Sequence, residues 1–245
     1  MRKIVLFFVM SVLWMGLFGQ TDQVSTFAHL KELKLSNGYK VFYPEAGTIV
    51  FNTLVTQLPS SDPFHSNGEG EDGGNIKILR MKLGPSDAES LTVLYTDGPS
   101  ADPAFIFANN NGDIIEILGG TELYLPGTGS IYISGHTNTA FNMRRKFNYK
   151  DGAFTEVKQA YYYVGLKTVT TREVTLTTQM GGGEAVAVLP ANSEVEVLLA
   201  LFQPSTGDFE YFLLKTPFGL TGWYGIKTYM LGEEPPIKGI YWAGD

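Results

Sequence analysis

Side chains able to bind a charged or hydroxylated ligand are most concentrated between residues 129 and 152, in the run GSIYISGHTNTAFNMRRKFNYKDG. Arg144 and Arg145 each present a planar fork that matches a carboxylate or a phosphate. His136 and Asn138 are able to hydrogen-bond hydroxyl groups. The run therefore predicts an anion or sugar site. The alternative is a polar loop followed by a solvated edge strand, whose basic residues oppose the acidic excess of the chain.

A second group of candidate ligand contacts is aromatic and lies within FEYFLLKTPFGLTGWYGIK, residues 209–227. Gly219 and Gly222 are expected to allow the positive φ and the close backbone approach that a tight corner requires. Trp223 is expected to close an apolar core. Side chains alternate along a strand, so the next residue is expected to face solvent. The candidate contacts here are Tyr211, Phe218, Trp223 and Tyr224.

Three short pieces follow one another in the C-terminal third: a threonine-rich strand at 174–176, VLPANSEVEV at 188–197, and a close at 214–223 that reads LKTPFGLTGW. In this order they resemble a bacterial SH3-like (SH3b-type) domain, over about 60 of the 245 residues. Asn192 stands where the family usually has glycine, and asparagine tolerates left-handed backbone geometry. The resemblance implies a small β-barrel that contacts cell-wall peptide, glycan or an envelope protein.

Patterns typical of metal binding and of catalysis are not found in the sequence. There is no cysteine, and the three histidines, His29, His65 and His136, are far apart without zinc-type spacing. We find no nucleophile elbow and no phosphate-binding glycine loop. We therefore expect no metal and no cofactor. Glycosidase carboxylates need only the right separation in space, so an enzyme remains the alternative.

One glycine-rich acidic stretch, PSSDPFHSNGEGEDGGN at 59–75, has no apolar periodicity. It is interpreted as a long mobile loop. Three acidic residues among the glycines at 67–74 offer oxygen ligands to calcium, but the spacing differs from that of an EF-hand loop. A disordered acidic loop is the preferred interpretation.

The elements that must position these residues are strands. Short β-branched and aromatic runs alternate with turn residues, and no stretch keeps a helical period for three turns. Asn37-Gly38 between two alternating runs predicts a hairpin. Residues 20–165 are expected to form an antiparallel sandwich or meander, with a propeller as the alternative, and residues 166–245 an SH3-like barrel with a C-terminal strand. Strands are predicted at 48–58, 76–83, 90–95, 104–108, 114–118, 122–125, 130–134, 144–149, 154–164, 174–176, 184–189, 194–199, 209–215 and from 222 onward.

The N-terminal segment has the features of a secretory signal peptide. Arg2 and Lys3 precede an apolar run to Phe18, and cleavage is expected after Gly19, although a membrane anchor is the alternative. Removing residues 1–19 leaves 16 basic and 25 acidic residues, a net charge of −9. That charge argues against nucleic acid and against docking on anionic lipid. A periplasmic or secreted location is expected.

Together these features predict an exported, non-enzymatic binding or scaffold protein of the cell envelope. Its partner is expected to be a cell-wall or envelope component, whether peptide, glycan or protein. The alternatives are a glycan-active hydrolase that uses carboxylates of the N-terminal domain, and a structural accessory subunit of an envelope assembly. The first would release product from a polysaccharide, whereas the second would bind a protein after glycan digestion.

Overall fold

The computed structural model describes residues 27–35, 38–68, 74–87, 89–98, 102–201, 209–232 and 234–244. The predicted signal peptide lies outside these ranges. Within them no helix is long and apolar enough to cross a membrane. The described residues form seventeen strands, which confirms the all-β prediction. In chain order these are β1 (Lys31–Lys34), β2 (Lys40–Tyr43), β3 (Ile49–Leu54), β4 (Ile76–Met81), β5 (Leu91–Thr96), β6 (Ala104–Ala108), β7 (Ile114–Gly119), β8 (Glu122–Tyr124), β9 (Ser130–Gly135), β10 (Met143–Lys150), β11 (Ala153–Glu156), β12 (Tyr162–Val169), β13 (Val174–Gln179), β14 (Gly182–Leu189), β15 (Glu194–Leu201), β16 (Phe209–Lys215) and β17 (Thr221–Lys227).

The strands form three sheets. Sheet 1 has the order β1-β2-β8-β9-β10-β11, sheet 2 the order β3-β4-β5-β6-β7, and sheet 3 the order β12-β15-β16-β17-β13-β14. Sheets 1 and 2 share one apolar cluster, to which each contributes fully buried residues such as Leu123 and Phe107. They therefore form the predicted sandwich, and sheet 2 by itself is a meander.

One pair in sheet 1 is parallel. Strand β2 lies beside β8, with Lys40 opposite Glu122 and Phe42 opposite Tyr124. Parallel neighbours need a long crossover connection. Here that connection is the whole of sheet 2, which lies between β2 and β8 in the chain.

The predicted hairpin around Asn37-Gly38 is confirmed: β1 and β2 pair antiparallel, and Gly38 has a φ of 88°. The prediction of one continuous strand at 154–164 is wrong. It is divided into β11 in sheet 1 and β12 in sheet 3, and residues 157–161 connect the two sheets. Strand β12 begins before the domain boundary expected at residue 165.

Sheet 3 packs on a second apolar cluster. Val174 of β13, Val197 of β15 and Phe212 of β16 are fully buried in it. A closed barrel requires the outermost strands to pair with each other. Among the described residues β12 and β14 stand at opposite ends of the sheet, so the predicted barrel is an open sheet. Strand β12 pairs with β15, and β13 pairs with β17 at one residue pair, Thr177 with Trp223.

The loop between β9 and β10 joins the sandwich to sheet 3. Its Phe141 is 2 % exposed and packs edge to face on Phe212, with ring centroids 6.1 Å apart. The C-terminal tail runs beside the same loop, because Ala243 forms a bridge with Thr139. A second bridge links Ile237 to Thr170. The predicted C-terminal strand is therefore wrong, since the tail makes isolated bridges in place of a strand.

Of the stretch expected to be a mobile loop, residues 59–68 and 74–75 are described, and the first of these segments is fixed to sheet 2. Lys77 of β4 is held between the rings of Phe51 and Phe64, with Nζ 4.5 Å and 4.9 Å from the ring centroids. Its ammonium donates to Asp62 at 2.6 Å. A charge buried this deeply is stable only with its partner, so the ion pair fixes the loop. The acidic residues at 69–73 lie outside the described ranges.

Replacing Asp62 by asparagine is expected to lower the free energy of unfolding by about 3 kcal/mol, because Lys77 would stay charged and buried without its counter-ion. Urea unfolding at pH 7 measures this. Glu45→Gln is the matched control: it removes the exposed ion pair with Lys31 and changes stability by less than about 0.5 kcal/mol. Equal effects of the two substitutions would contradict the assignment.

The same ion pair gives stability a pH dependence. Burial raises the pKa of Asp62, but hydrogen bonds from Lys77 and from the Phe64 amide outweigh it, and the pKa lies below its ordinary value. The folded-state pKa is therefore lower than the unfolded-state one. This stabilisation is complete above the unfolded pKa, and it is lost as the pH falls through the folded pKa.

Glu210 is the buried carboxyl group of sheet 3. It is 5 % exposed on the face of β16 that carries Phe212, and no described residue donates a hydrogen bond to its Oε2. Burial raises the pKa of Glu210 to about 7. The native protein therefore keeps this proton at pH values where the unfolded chain has lost it, and stability falls as the pH rises between the two pKa values.

We expect Glu210→Gln to raise the free energy of unfolding at pH 8 by about 2–3 kcal/mol, because a neutral amide avoids the cost of ionising a buried carboxyl. At pH 5 the two proteins should differ little, since the wild-type carboxyl is already protonated in the native state. Urea titrations at both pH values measure the difference. A gain of the same size at pH 5 would show that the carboxyl does not titrate as assigned.

Candidate functional site

A cleft of about 510 Å³ opens on the outer face of sheet 1. Along β8, β9 and β10, one set of alternate residues enters the sandwich core, so the other set faces outward. In the first two of these strands the core set includes Leu123, Ile131 and Ile133. The described residues that line the cleft come from these three strands, from Phe27 and from the connection after β11: Phe27, Glu122, Tyr124, Tyr132, Ile133, Ser134, Arg144, Arg145, Lys146, Val157 and Gln159.

Aromatic rings form the floor of this cleft. Phe27 lies between Tyr124 and Tyr132, with ring centroids 4.7 Å and 5.1 Å away. Phe42 of β2 stacks parallel to Tyr124 at 4.3 Å, which is possible because β2 and β8 are neighbours. The contacts hold each ring in place, so the floor is preorganised for a flat or apolar ligand surface.

The rim of the cleft is mainly basic. Lys146 Nζ lies 5.8 Å from the centroid of Tyr132, and the exposed Arg144 stands beside it on the outward face of β10. Glu122 accepts a hydrogen bond from the Tyr124 hydroxyl at 3.2 Å, and its carboxylate lies 3.9 Å from Lys40. Burial, with the nearby Glu122 charge, raises the pKa of Tyr124 to about 12, so its hydroxyl stays a donor.

Arg144 is positioned by sheet 3. Its Nη1 donates to the Tyr163 carbonyl at 3.3 Å, and its guanidinium carbon lies 5.6 Å from the centroid of the Tyr163 ring. Gln159 donates to the Arg144 carbonyl at 2.9 Å. The cleft therefore lies where the two halves of the chain meet.

Arg145 has a different environment from Arg144. Its side chain is directed inward, and Nη2 donates to the Gly119 carbonyl at 2.6 Å. Burial lowers the pKa of Arg145, and the charge of Glu156 opposes this. Tyr162 donates to the same Glu156 carboxylate at 3.4 Å. These contacts connect β7, β10, β11 and β12, so the Arg145 guanidinium helps to hold these strands together.

His136 and Asn138 do not reach the cleft, although they precede Arg144 by only a few residues. His136 Nε2 donates to the Tyr241 carbonyl at 2.8 Å, and the two rings lie 4.6 Å apart. Asn138 has a φ of 51°, and its side-chain oxygen lies against Gly244. Both residues contact the C-terminal tail.

The faces expected for Trp223 and Tyr224 are reversed in the structure. Tyr224 is opposite the buried Phe212 and packs on the core of sheet 3. Trp223 is on the outer face, where its ring lies 5.8 Å from that of Tyr161. The buried Ile226 sets this phase, because it shares a face with Tyr224.

The two glycines of this hairpin behave largely as expected. Gly219 has a φ of 97°, and Gly222, without a positive φ, lets β17 approach β13 so closely that a Cβ would lie 2.8 Å from Leu176 Cβ. Phe218 is 88 % exposed on the turn between β16 and β17. Tyr211 lies on the outer face of sheet 3, where its hydroxyl lies close to Gly181. These residues are not brought together with the cleft.

A second concavity, of about 470 Å³, lies on sheet 3. Its described lining includes the Lys215–Glu196 ion pair, at 3.3 Å, and no aromatic ring. The described ranges also contain no group of three acid or histidine side chains able to hold a metal ion. The cleft on sheet 1 is therefore the stronger candidate for a binding site.

No protein-family model, no curated protein and no solved structure matches this chain.

Arg144 and Arg145 of the cleft were predicted from the sequence, whereas the aromatic residues of its floor were not. Phe27, Tyr124 and Tyr132 come from separate segments that only the strand order brings together. A signal was present in β8 and β9, where a tyrosine occupies an outward position next to buried Leu123 and Ile133. An aromatic residue at an outward position in two consecutive strands indicates a binding surface.

Substitution of the two adjacent arginines is expected to change the free energy of unfolding by different amounts. Arg145→Gln should lower the free energy of unfolding by about 2 kcal/mol, because a partly buried charge-assisted hydrogen bond to the Gly119 carbonyl is lost. Arg144→Gln should change it by less than about 1 kcal/mol, because that side chain is exposed. Urea unfolding of both variants decides this, and a larger loss for Arg144→Gln would be incompatible with the two environments described.

Proposed function

We propose that the chain is a non-enzymatic binding protein whose cleft on sheet 1 takes a glycan bearing carboxylate groups. The observation that carries the proposal is the combination of an aromatic floor with a basic rim. Sugar rings present C–H groups that pack against aromatic side chains. Arginine and lysine at the rim pair with carboxylates, and the side chains of Gln159 and Glu122 hydrogen-bond hydroxyl groups.

Charge supports an anionic ligand. The chain has 25 acidic and 18 basic residues, yet Arg144, Arg145 and Lys146 line the cleft beside the single acid Glu122. The local charge is therefore opposite to the overall one. Such a reversal favours an anion at this place and repels it elsewhere on the surface.

Binding is favoured over hydrolysis by the carboxyl groups of the cleft. Glycoside hydrolysis uses a pair of carboxyl groups that flank the bond to be broken. Among the described lining residues Glu122 is the only carboxylate, and it is already engaged by Tyr124 and Lys40. This arrangement suits a residue that orients a ligand.

The C-terminal half is proposed to be an SH3-like module of an exported envelope protein. Three consecutive antiparallel strands, β15 to β17, and the β13–β14 hairpin occur in the order that the resemblance implies. Asn192 has a φ of 67°, as the replacement of glycine in that turn requires. With the signal-like N-terminus, this favours a ligand of the cell wall, and we propose peptidoglycan, which carries both sugars and carboxylates.

The test is co-sedimentation of residues 20–245 with purified peptidoglycan. We expect saturable binding that weakens as sodium chloride is raised to about 0.5 M, because salt screens the pairing of Arg144 and Lys146 with carboxylates. Arg144→Gln should reduce the affinity about tenfold, the loss of one charge-assisted hydrogen-bond pair.

The matched control is Arg172→Gln. Arg172 is another arginine near the surface, and it pairs with Glu234 away from the cleft. This variant should bind as the wild type does. Absence of binding by the wild type, or equal losses for the two arginine variants, would refute the proposed ligand site.

A further inference from the structure

The outer face of sheet 3 carries a row of apolar and aromatic side chains next to the cleft. Tyr163 is opposite Leu199, Leu199 is opposite Leu213, and Leu213 is opposite Trp223. Tyr161 contacts the Trp223 ring from the connection that precedes β12. We call Tyr161, Tyr163, Leu199, Leu213 and Trp223 the aromatic row.

The row remains partly open to solvent. Tyr163 is 55 % exposed and Tyr161 is 43 % exposed, although both are large aromatic side chains. The planes of the Tyr161 and Trp223 rings are inclined at 39° to each other. From β12 to β17 the row crosses three strand spacings, a span of about 14 Å.

The row is continuous with the cleft through Arg144. The guanidinium that forms the rim of the cleft lies over the Tyr163 ring, the first member of the row. Gln159, which lines the cleft, is two residues before Tyr161 and holds the Arg144 backbone by its hydrogen bond. A ligand that leaves the cleft past Arg144 meets Tyr163 first.

We propose that the aromatic row is a second subsite for the same glycan, so that the protein recognises an extended strand of several linked sugar units. This inference rests on the proposed function of the cleft. The cleft holds one segment of the glycan. The following segment of the glycan lies across sheet 3, on Tyr163 and on the Tyr161–Trp223 pair. Aromatic rings with hydroxyl or indole donors suit sugars, which are apolar on their faces and polar at their edges.

The alternative occupant of such a face is a protein. A protein interface would continue over the aliphatic members of the row, yet Leu199 and Leu213 are only partly exposed between the rings. The most exposed members, Tyr161 and Tyr163, are the two next to the cleft. This distribution favours the glycan proposed for the cleft over a protein partner.

The experiment compares peptidoglycan fragments of different length by isothermal titration calorimetry. One probe is a soluble disaccharide-peptide with a single disaccharide unit, obtained by complete muramidase digestion. The other is a fragment with several disaccharide units joined by glycosidic bonds, obtained by partial muramidase digestion. Wild-type protein should bind the longer fragments more tightly. The contact with the aromatic row is then made by a ligand that has already lost its translational and rotational freedom on binding to the cleft. Tyr161→Ala should leave the single unit unaffected and weaken the longer fragments about fivefold.

Tyr229→Ala is the matched control, because Tyr229 is a 67 % exposed tyrosine of the turn after β17 and lies outside the row. It should bind both probes as the wild type does. If the wild type binds the single unit and Tyr161→Ala keeps the full gain with length, the second subsite is overturned while the cleft stands. If the wild type does not bind the single unit, the cleft proposal itself fails, and the inference with it.

Discussion

The insertion of Phe141 into the core of sheet 3 is the contact on which the arrangement of the whole chain depends. This residue belongs to the loop between two strands of the sandwich, yet it is almost fully buried against Phe212. Burial of such a side chain contributes about 2–3 kcal/mol. Because the same loop connects β9 and β10, the strands that carry Tyr132 and Arg144 are anchored directly to the second half.

The polar residues around Phe141 follow from this insertion. A loop that enters an apolar core must satisfy its own backbone groups, and the tail supplies partners to Thr139 and Ala140. His136 and Asn138 contact the same tail. The hydrogen-bonding side chains that precede Arg144 therefore join the β9–β10 loop to the C-terminal tail. The proposed ligand site uses β10, the strand that follows this loop.

Strand positions were predictable in sheets 1 and 3 because one face is largely buried and the other is not, and in β5 and β6, which are buried on both faces, because short β-branched and aromatic runs lie between turn residues. Alternation and the Asn37-Gly38 pair were sufficient for most strands and for the first hairpin. Which residues of β17 face the core was not predictable from the sequence. Gly222 and Gly225 flank the Trp223-Tyr224 pair and carry no side chain that marks a face. The floor of the cleft was not predictable either, because the β2–β8 neighbour relation depends on contacts far apart in the chain.

That parallel pair also determines when sheet 1 is able to form. Strand β2 ends at Tyr43 and its neighbour begins at Glu122, so the intervening meander must be synthesised before the two can meet. Chains dominated by such non-local pairings fold slowly, on a scale of milliseconds to seconds or longer. Before β8 is synthesised, β2 has no neighbour on its β8 side, and Phe42 cannot stack on Tyr124. Until then the edge of β2 that faces β8 is unpaired, and an unpaired strand edge is a template for pairing with another chain.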